Sequence, residues 1–190
     1  NDLRANSDKS NLNVKIKDLN MKFTIERAAL LKSLGHVQSV VERRNTIPIL
    51  SNVRIEAGEG RLSLNATDMD LDIVDQVAAD VSQPGATTAP AHTLYEIIRK
   101  LPEGSQVEFD SDDEGQLTLK SGRSRFTLTC LPTDDFPVMS GGEMAHTFSL
   151  PAAEIRGLVD RTRFAISTEE TRYYLNGIYL HAAERDGTKV

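Results

Sequence analysis

Clustered carboxylates are the residues of this sequence whose type and spacing could support chemistry. Asp68, Asp70 and Asp72 alternate with apolar residues, so a strand through Asp68 to Val81 would present all three on one face. Three carboxylates on one face could ligate a hard cation. No histidine and no further carboxylate cluster completes such a site, and a solvated strand face is therefore the favoured interpretation. A metal-dependent hydrolase stays open as the alternative.

The other polar clusters give weaker indications of catalysis. The segment Asp110 to Gly115 resembles the start of a helix–loop–helix calcium loop, but Ser121 stands where the bidentate Glu belongs, and a hairpin loop is predicted. The segment 168–170, Thr-Glu-Glu, has no neighbour that would tune it as an acid or base. The four histidines are scattered, and no Gly-rich phosphate loop is present. We therefore expect no catalytic residue, no metal and no cofactor.

Composition indicates a soluble globular protein. The chain has 190 residues, 39% of them hydrophobic and 26% charged, with a formal net charge of −6. No apolar run is long enough to cross a bilayer, and no secretory signal is readable, so we expect a cytoplasmic protein with no membrane partner. The single cysteine, Cys130, continues an alternating strand pattern and is interpreted as a small core residue.

Charge is distributed unevenly between the predicted helices and the rest of the chain. Over the stretches 26–44, 91–102 and 151–166 there are nine Lys and Arg residues against five Asp and Glu residues. These stretches therefore carry +4 and the remainder −10. Basic helices and acidic strands give the molecule two electrostatically different sides, as a nucleic-acid-binding protein would have. Ordinary solvated helix faces with an excess of Lys and Arg remain the alternative.

One segment of the sequence is repeated later in the chain, and this repeat indicates how the predicted helices and strands are grouped into domains. Phe23 to Ala57 aligns without a gap on Phe148 to Ala182, 125 positions later, and both copies follow the pattern strand, amphipathic helix, polar turn, strand. A period near 125 residues is the size of a whole domain. We expect one complete domain followed by the beginning of a related one.

Periodicity predicts the elements of the first domain as two helices and a series of strands. The apolar faces predict helices within 30–41 and over Ala91 to Leu101. Alternation predicts strands over Ile47 to Ala57, Arg61 to Ala66, Asp68 to Val81, Ala86 to Ala89, Gln106 to Phe109, Gln116 to Lys120 and Ser124 to Cys130, and in the second copy over Tyr173 to Ala182. The predicted fold is α+β, with two helices packed on antiparallel sheets in each repeated domain.

The expected domain organisation has three parts. Residues 1–20 are polar and unlike the repeat, and are interpreted as a leader or expression remnant. Residues 21–140 form the first domain, and the Pro- and Gly-rich stretch Leu131 to Gly142 is its boundary. Residues 141–190 are the start of an incomplete second domain, so the chain is expected to be a fragment of a longer protein.

Several local sequences together resemble the sliding clamp family, the β subunit of bacterial DNA polymerase III. They are MKFTIERAALLKSL at Met21, NTIPILSNV at Asn45, PGATTAPA at Pro84, LPEG at Leu101, SGRSRFTL at Ser121, LPTDDFP at Leu131 and TRYYLNGIYL at Thr171. The resemblance implies the DNA-clamp fold and a processivity factor, not an enzyme, with three similar domains per subunit and helices lining a central hole. Two subunits would join head to tail in a homodimeric ring that encircles double-stranded DNA without sequence specificity. Polymerase, clamp loader and repair proteins would bind it through short linear peptides.

The resemblance also assigns site residues. The implied DNA-binding residues are Arg44, Thr168, Glu169, Tyr173 and Tyr174, with Glu169 standing where a neutral or polar residue is more usual. The implied subunit interface contains Phe126 and Leu128 with Arg123 and Arg125 beside them, although strand alternation alone favours a core position for the apolar pair. Leu175 matches one wall of the partner-peptide pocket. A non-DNA interaction module that shares the repeated domain remains a third hypothesis.

Overall fold

The computed structural model describes residues 20–42, 46–112, 114–137, 149–181, 184–185 and 188–189. The chain forms two compact units, and the division falls between residues 140 and 141. The described part of the first unit contains nine strands and two α-helices. The described part of the second contains one α-helix and one short hairpin.

Two antiparallel sheets form the frame of the first unit. The strands are β1 (Lys22–Glu26), β2 (Asn52–Gly58), β3 (Arg61–Thr67), β4 (Asp72–Ala78), β5 (Asp80–Gln83), β6 (Gly85–Pro90), β7 (Gln106–Ser111), β8 (Gln116–Ser121) and β9 (Ser124–Thr129). One sheet has the order β5-β1-β7-β8-β9 and the other the order β4-β3-β2-β6. Every strand pair in the described part of this unit is antiparallel.

Two helices pack against these sheets. Helix α1 (Arg27–Val37) begins where the Glu26 carboxylate accepts a hydrogen bond from the Ala29 N–H at 2.9 Å, and backbone N–H groups lower the pKa of Glu26. Helix α2 (Ala91–Lys100) ends at Lys100, because Leu101 precedes Pro102 and the residue before a proline is disfavoured in helical conformation. The inward residues Leu94 and Ile98 of α2 are fully buried.

A single core fills the space between the two sheets and the two helices. It includes alternate residues of the strands together with the inner faces of both helices. At its centre the Phe23 and Phe109 rings stack with centroids 4.6 Å apart, on strands that pair in register at these residues. The predicted α+β fold, with two helices on antiparallel sheets, is confirmed.

Two predicted strand segments are wrong. Pro48–Ser51 forms a short 3₁₀ helix, so β2 starts at Asn52 and not at Ile47, because the proline at the first helical position needs no N–H partner there. Ile49 and Leu50 pack with Phe136 in a small separate cluster. In the second copy, Glu170–Leu175 is 3₁₀ helix, and residues 176–181 are not in a strand.

The predicted row of three carboxylates on one strand face is also wrong. Residues 68–71 form a turn in which the Asp68 carboxylate accepts hydrogen bonds from the N–H groups of Asp70 (2.9 Å) and Leu71 (2.7 Å), and Met69 adopts a φ of 79°. β4 begins only at Asp72. Short polar side chains capture nearby backbone donors in this way and so compete with strand pairing. Among the described residues, no group of three or more His, Cys, Asp or Glu side chains could hold a metal.

The segment Asp110 to Gly115 connects two strands, as predicted. Asp110 lies in β7, and the Asp112 carboxylate accepts hydrogen bonds from the N–H groups of Glu114 and Gln116. Gly115 has a φ of 74°, a conformation that residues with a Cβ rarely adopt. The hairpin interpretation is therefore confirmed for the described part of the loop.

The second unit is described from residue 149 to residue 181 and in a short hairpin. Helix α3 (Ala152–Thr162) continues into a 3₁₀ turn, Arg163–Ala165, and β10 (Glu184–Arg185) pairs with β11 (Thr188–Lys189). The apolar side chains Ile155, Leu158 and Val159 of α3 are 40–46% exposed. Across the described ranges of both units, no helix has the length and apolarity to cross a membrane.

Candidate nucleic-acid interface

The two helices of the first unit are fixed to each other as one surface. A Cβ added at Gly35 of α1 would lie 3.9 Å from the Tyr95 ring of α2, in ordinary van der Waals contact. The His92 ring of α2 hydrogen-bonds the Gln38 side chain at 3.2 Å and the Val41 carbonyl at 2.9 Å. Helices α1 and α2 therefore lie side by side, and His92 of α2 is hydrogen-bonded to the turn that follows α1.

The guanidinium of Arg27 is engaged in hydrogen bonds within the first unit. Its Nε donates to the Ile98 carbonyl at 3.1 Å and its Nη2 to the Arg99 carbonyl at 2.7 Å, both at the C-terminal end of α2. The last carbonyls of a helix have no partner within the helix and carry partial negative charge, so a guanidinium there is favourable. The basic count made from the sequence therefore overstates the positive charge that α1 offers to a ligand.

Of the other Lys and Arg residues on α1 and α2, one forms an ion pair and two do not in the described part of the chain. Arg99 forms an ion pair with Glu96 at 2.7 Å, and this hydrogen bond raises the pKa of Arg99. Lys32 and Lys100 are exposed and have no ion pair within the described part of the chain. The described helices of the first unit therefore present a weakly positive surface.

Arg44, the first DNA-binding residue implied by the resemblance, lies outside the described residues, as does its neighbour Arg43. The assignment of Arg44 therefore stays a prediction from the resemblance alone.

The second predicted DNA-binding group lies in one closed loop of the second unit, residues 167–175. The Ser167 N–H donates to the Leu175 carbonyl at 2.9 Å and so joins the ends of the loop. Thr168 and Glu169 are exposed, and Tyr174 is 71% exposed. The side chain of Tyr173 lies outside the described part. The structure brings Thr168, Glu169 and Tyr174 together on one short segment.

Arg172 is a member of this loop that the sequence reasoning missed. Its Nε lies 3.0 Å from Oε2 of Glu169, and its backbone N–H donates to the Glu169 carbonyl at 3.0 Å. The signal was present as opposite charges three residues apart, the spacing at which side chains of a helical turn meet. The loop thus contains an internal ion pair that involves Glu169, the residue at which the resemblance implies a neutral or polar side chain.

Helix α3 of the second unit carries basic residues that are partly neutralised. Asp160 lies 3.6 Å from Nε of Arg156 and 3.7 Å from Nη1 of Arg163, while Arg161 is exposed. These pairs lie at the surface, where ion pairs contribute little to stability and leave the guanidinium groups accessible to another anion.

The predicted interface residues lie at the open edge of the five-stranded sheet. β9 pairs with β8 and is the last strand of that sheet in the described part. Phe126 and Leu128 both face the core, opposite Leu119 and Leu117, but Leu128 is 8% exposed whereas Phe126 is only half-buried. The two therefore differ in how much surface they offer to another molecule.

Two arginines flank the same strand. Arg123 follows Gly122, whose φ of 56° forms the turn into β9, and Arg125 alternates with the core-facing side chains. Both arginines are exposed. In the described part of the chain this strand pairs on one side only, and it carries one partly exposed aromatic ring and two cations, which suits pairing with another strand of complementary charge.

Two further residues singled out from the sequence, Leu175 and Cys130, lie in the described part of the chain. Leu175, the predicted wall of the peptide pocket, is 47% exposed. Burial raises the pKa of the Cys130 thiol and disfavours its reactive thiolate form. The arrangement of the described residues is suited to binding polyanions and strands.

Comparison with known protein families places most of the first unit in one of them. The model of the DNA polymerase III beta subunit, N-terminal domain, matches residues 21–140. The beta sliding clamp of Caulobacter vibrioides (strain NA1000 / CB15N) is 58% identical over 168 residues, which are 88% of this chain and 45% of that protein. The beta sliding clamp of Pseudomonas aeruginosa is 44% identical over 161 residues, 84% of this chain and 44% of that protein. The chain thus spans about half the length of the curated relatives it matches.

Solved structures give the same result for the fold. A crystal structure of the C. crescentus beta sliding clamp with bound PEG superposes with a TM-score of 0.86 at 57% identity, over 90% of this chain and 46% of that one. A sliding clamp from Bartonella birtlesii bound to griselimycin superposes with a TM-score of 0.84 at 48% identity, over 88% of this chain and 45% of that one.

Proposed function

The chain belongs to the DNA polymerase III beta subunit family, whose N-terminal domain it contains at residues 21–140, and from this premise we propose that it functions as part of a processivity clamp. In that role it encircles duplex DNA without reading its sequence and tethers the replicative polymerase. The observation that carries the proposal is the 58% identity to a beta sliding clamp, which extends over 88% of the chain. The proposed role is binding and tethering in the cytoplasm, with no catalytic step.

Weak positive charge on the helices supports a sliding role. A closed ring holds DNA by topology, so the protein surface facing the duplex needs only contacts that break and reform easily. Exposed Lys32 and Lys100 supply charge without a partner in the described part of the chain, while Arg27 and Arg99 are already engaged. Contacts of this kind go to phosphates and carry no sequence information.

The DNA contacts proposed for the loop 167–175 and for Arg44 follow the same logic. Thr168 and Tyr174 are exposed on a loop whose ends are joined by a backbone hydrogen bond. Hydroxyl groups on a fixed loop can donate to phosphate oxygens directly or through water, and water-bridged contacts permit motion along the duplex. We include Tyr173 and Arg44 in the DNA surface on the family resemblance.

A head-to-tail homodimer is the proposed assembly, with β9 as one side of the interface. Pairing of the open β9 edge with a strand of the second subunit would continue the five-stranded sheet across the interface. Phe126 would contribute apolar area, and Arg123 and Arg125 would meet carboxylates of the partner. The buried Leu128 would contribute indirectly, by packing in the core and holding strand β9 in place.

Polymerase, clamp loader and repair proteins are the proposed partners, through short linear peptides. Leu175 is 47% exposed on the same segment as the DNA loop and supplies one wall of the peptide pocket in this proposal. Leucine at such a position offers apolar area to a peptide side chain without fixing its sequence.

Primer extension tests the proposed function directly. A protein that carries this chain at the length of its curated relatives is loaded on primed circular DNA, and the replicative polymerase is diluted so that each enzyme binds once. We expect products much longer than those made by the polymerase alone. Products of unchanged length, with loading verified, would refute the processivity role.

A further inference from the structure

The ion pair between Glu169 and Arg172 lies inside the segment proposed to meet DNA. The two side chains approach to 3.0 Å between Oε2 and Nε, and each is more than half exposed, at 62% and 57%. From this geometry we propose that Glu169 competes with the DNA backbone for Arg172 and so weakens the contact between the loop and the duplex. This inference deepens the proposed function and rests on it.

Backbone hydrogen bonds hold the two residues in register. The Arg172 N–H donates to the Glu169 carbonyl at 3.0 Å, and the Glu169 N–H donates to the Ser167 hydroxyl at 3.1 Å. At Arg172 the backbone departs from helical geometry, with φ −112° and ψ 45°, within the run Glu170–Leu175. These backbone bonds keep the two side chains within reach of each other, and holding them in the ion pair still costs side-chain entropy.

A carboxylate and a phosphate make the same kind of contact with a guanidinium. Both are anions that accept charge-assisted hydrogen bonds from planar N–H donors. Glu169 therefore occupies Arg172 with a group that resembles the DNA backbone in charge and geometry. An exposed ion pair contributes little to stability, so a phosphate can displace the carboxylate, and the carboxylate can return when the phosphate moves on.

The expected consequence is a loop that contacts DNA without holding it. With Glu169 ionised, part of the favourable interaction of Arg172 with phosphate is lost in breaking the internal pair, and the displaced carboxylate repels the duplex. With a neutral residue at 169, Arg172 would be available at all times. Glu169 thus acts as a positioning residue for Arg172 and sets how strongly the loop resists sliding.

A double-mutant cycle in the full-length protein tests the proposal. Wild type, Glu169→Gln, Arg172→Ala and the double variant are titrated with a short linear duplex by fluorescence anisotropy at several salt concentrations. We expect Glu169→Gln to bind about two- to fivefold tighter at low salt, the range that an exposed ion pair supports. Its salt slope should steepen by up to about one unit, because one more cation meets phosphate. The double variant should gain clearly less affinity over Arg172→Ala than Glu169→Gln gains over wild type, because only the loss of charge repulsion remains.

The cycle separates competition for Arg172 from simple removal of a negative charge. An equal gain from Glu169→Gln with and without Arg172 would overturn the inference, and so would no gain in either background. Glu154→Gln is the matched control, because it removes the same charge from an exposed residue of the same unit that has no ion pair in the described part. It should leave the slope unchanged.

Failure of the inference and failure of the proposed function are distinguishable. If the loaded wild-type protein does not stay on closed circular DNA, the clamp role itself is refuted. If it stays there while the cycle shows no coupling between residues 169 and 172, only the proposed competition is refuted.

Discussion

Replacing Arg27 by alanine removes a cation that holds the end of α2. In the wild-type unit the guanidinium donates to the Ile98 carbonyl at 3.1 Å and to the Arg99 carbonyl at 2.7 Å. These carbonyls belong to the last turn of α2, where the Ile98 carbonyl also accepts a hydrogen bond from the Leu101 N–H at 3.3 Å. We expect Arg27→Ala to destabilise the first unit and to leave its DNA surface unchanged.

The size of the effect follows from the environment of the two bonds. A hydrogen bond from a charged group contributes about 1.5–3 kcal/mol, and a cation at a helix C-terminus adds about 0.3–1 kcal/mol. The bond to Ile98 is part-buried, whereas the bond to Arg99 is exposed and water can replace it. Counting the first bond and the helix dipole, we expect a loss of about 2 kcal/mol. At a urea m-value of about 2 kcal/mol/M, the midpoint falls by about 1 M.

Urea unfolding of this chain, followed by far-ultraviolet circular dichroism, measures the loss. Lys32→Ala is the control, because Lys32 is an exposed cation on the same helix without an ion pair in the described part. Lys32→Ala should barely move the midpoint, and Arg27→Lys should recover part of the loss. Equal shifts for Arg27→Ala and Lys32→Ala would refute the structural role. The salt dependence of DNA binding is then measured in the full-length protein. If Arg27→Ala lowers the salt slope as much as Lys32→Ala does, Arg27 is not reserved for a structural role, and the distinction between engaged and available cations is refuted.

Two further predictions concern the β4 carboxylate and the β9 edge. Burial raises the pKa of Asp75, but hydrogen bonds, including one from His36 at 2.8 Å, outweigh it and lower the pKa below its ordinary value. The ionised carboxylate therefore stabilises the fold at pH values above the unfolded pKa, and this contribution is lost as the pH falls through the folded pKa. Asp75→Asn should therefore lower the urea midpoint near neutral pH, and the midpoint of the variant should decrease less than that of wild type as the pH is lowered to about 3. An equal decrease of the midpoint with pH in the two proteins would contradict this. Phe126→Ser should convert the full-length dimer to folded monomer in sedimentation, whereas Leu128→Ser should destabilise the unit itself; an intact Phe126→Ser dimer would exclude this interface.

Hydrophobic periodicity predicted most of the first unit because its elements are decided by burial. The predicted bounds of both helices and of strands β7 to β9 agree with the structure to within a few residues, since each of these elements has one face in the common core. The errors occurred where local hydrogen bonds override periodicity. Asp68 captures two backbone N–H groups, and Pro48 begins a 3₁₀ turn, so alternation in the sequence did not become a strand in either place.

The candidate site depended on the sequence in a different way. The DNA loop and the interface pair came from the family resemblance, because exposed polar residues have no period to reveal them. Alternation could not separate a core role from an interface role for Phe126 and Leu128, since a residue at a sheet edge serves both. The capping role of Arg27 required coordinates, because it is defined by the carbonyls that its guanidinium meets. The Glu169–Arg172 pair had a signal in the sequence, opposite charges three residues apart, that the sequence reasoning did not use.

Retention on closed circular DNA tests the central claim most directly. The full-length protein is loaded on a nicked circle and separated from free protein by gel filtration at a salt concentration that breaks ordinary phosphate contacts. The same sample is then cut once with a restriction enzyme and filtered again. The clamp account predicts that the protein stays with the circle and leaves the linear DNA by sliding off its ends. Equal retention before and after cutting, or loss from the intact circle, would contradict it.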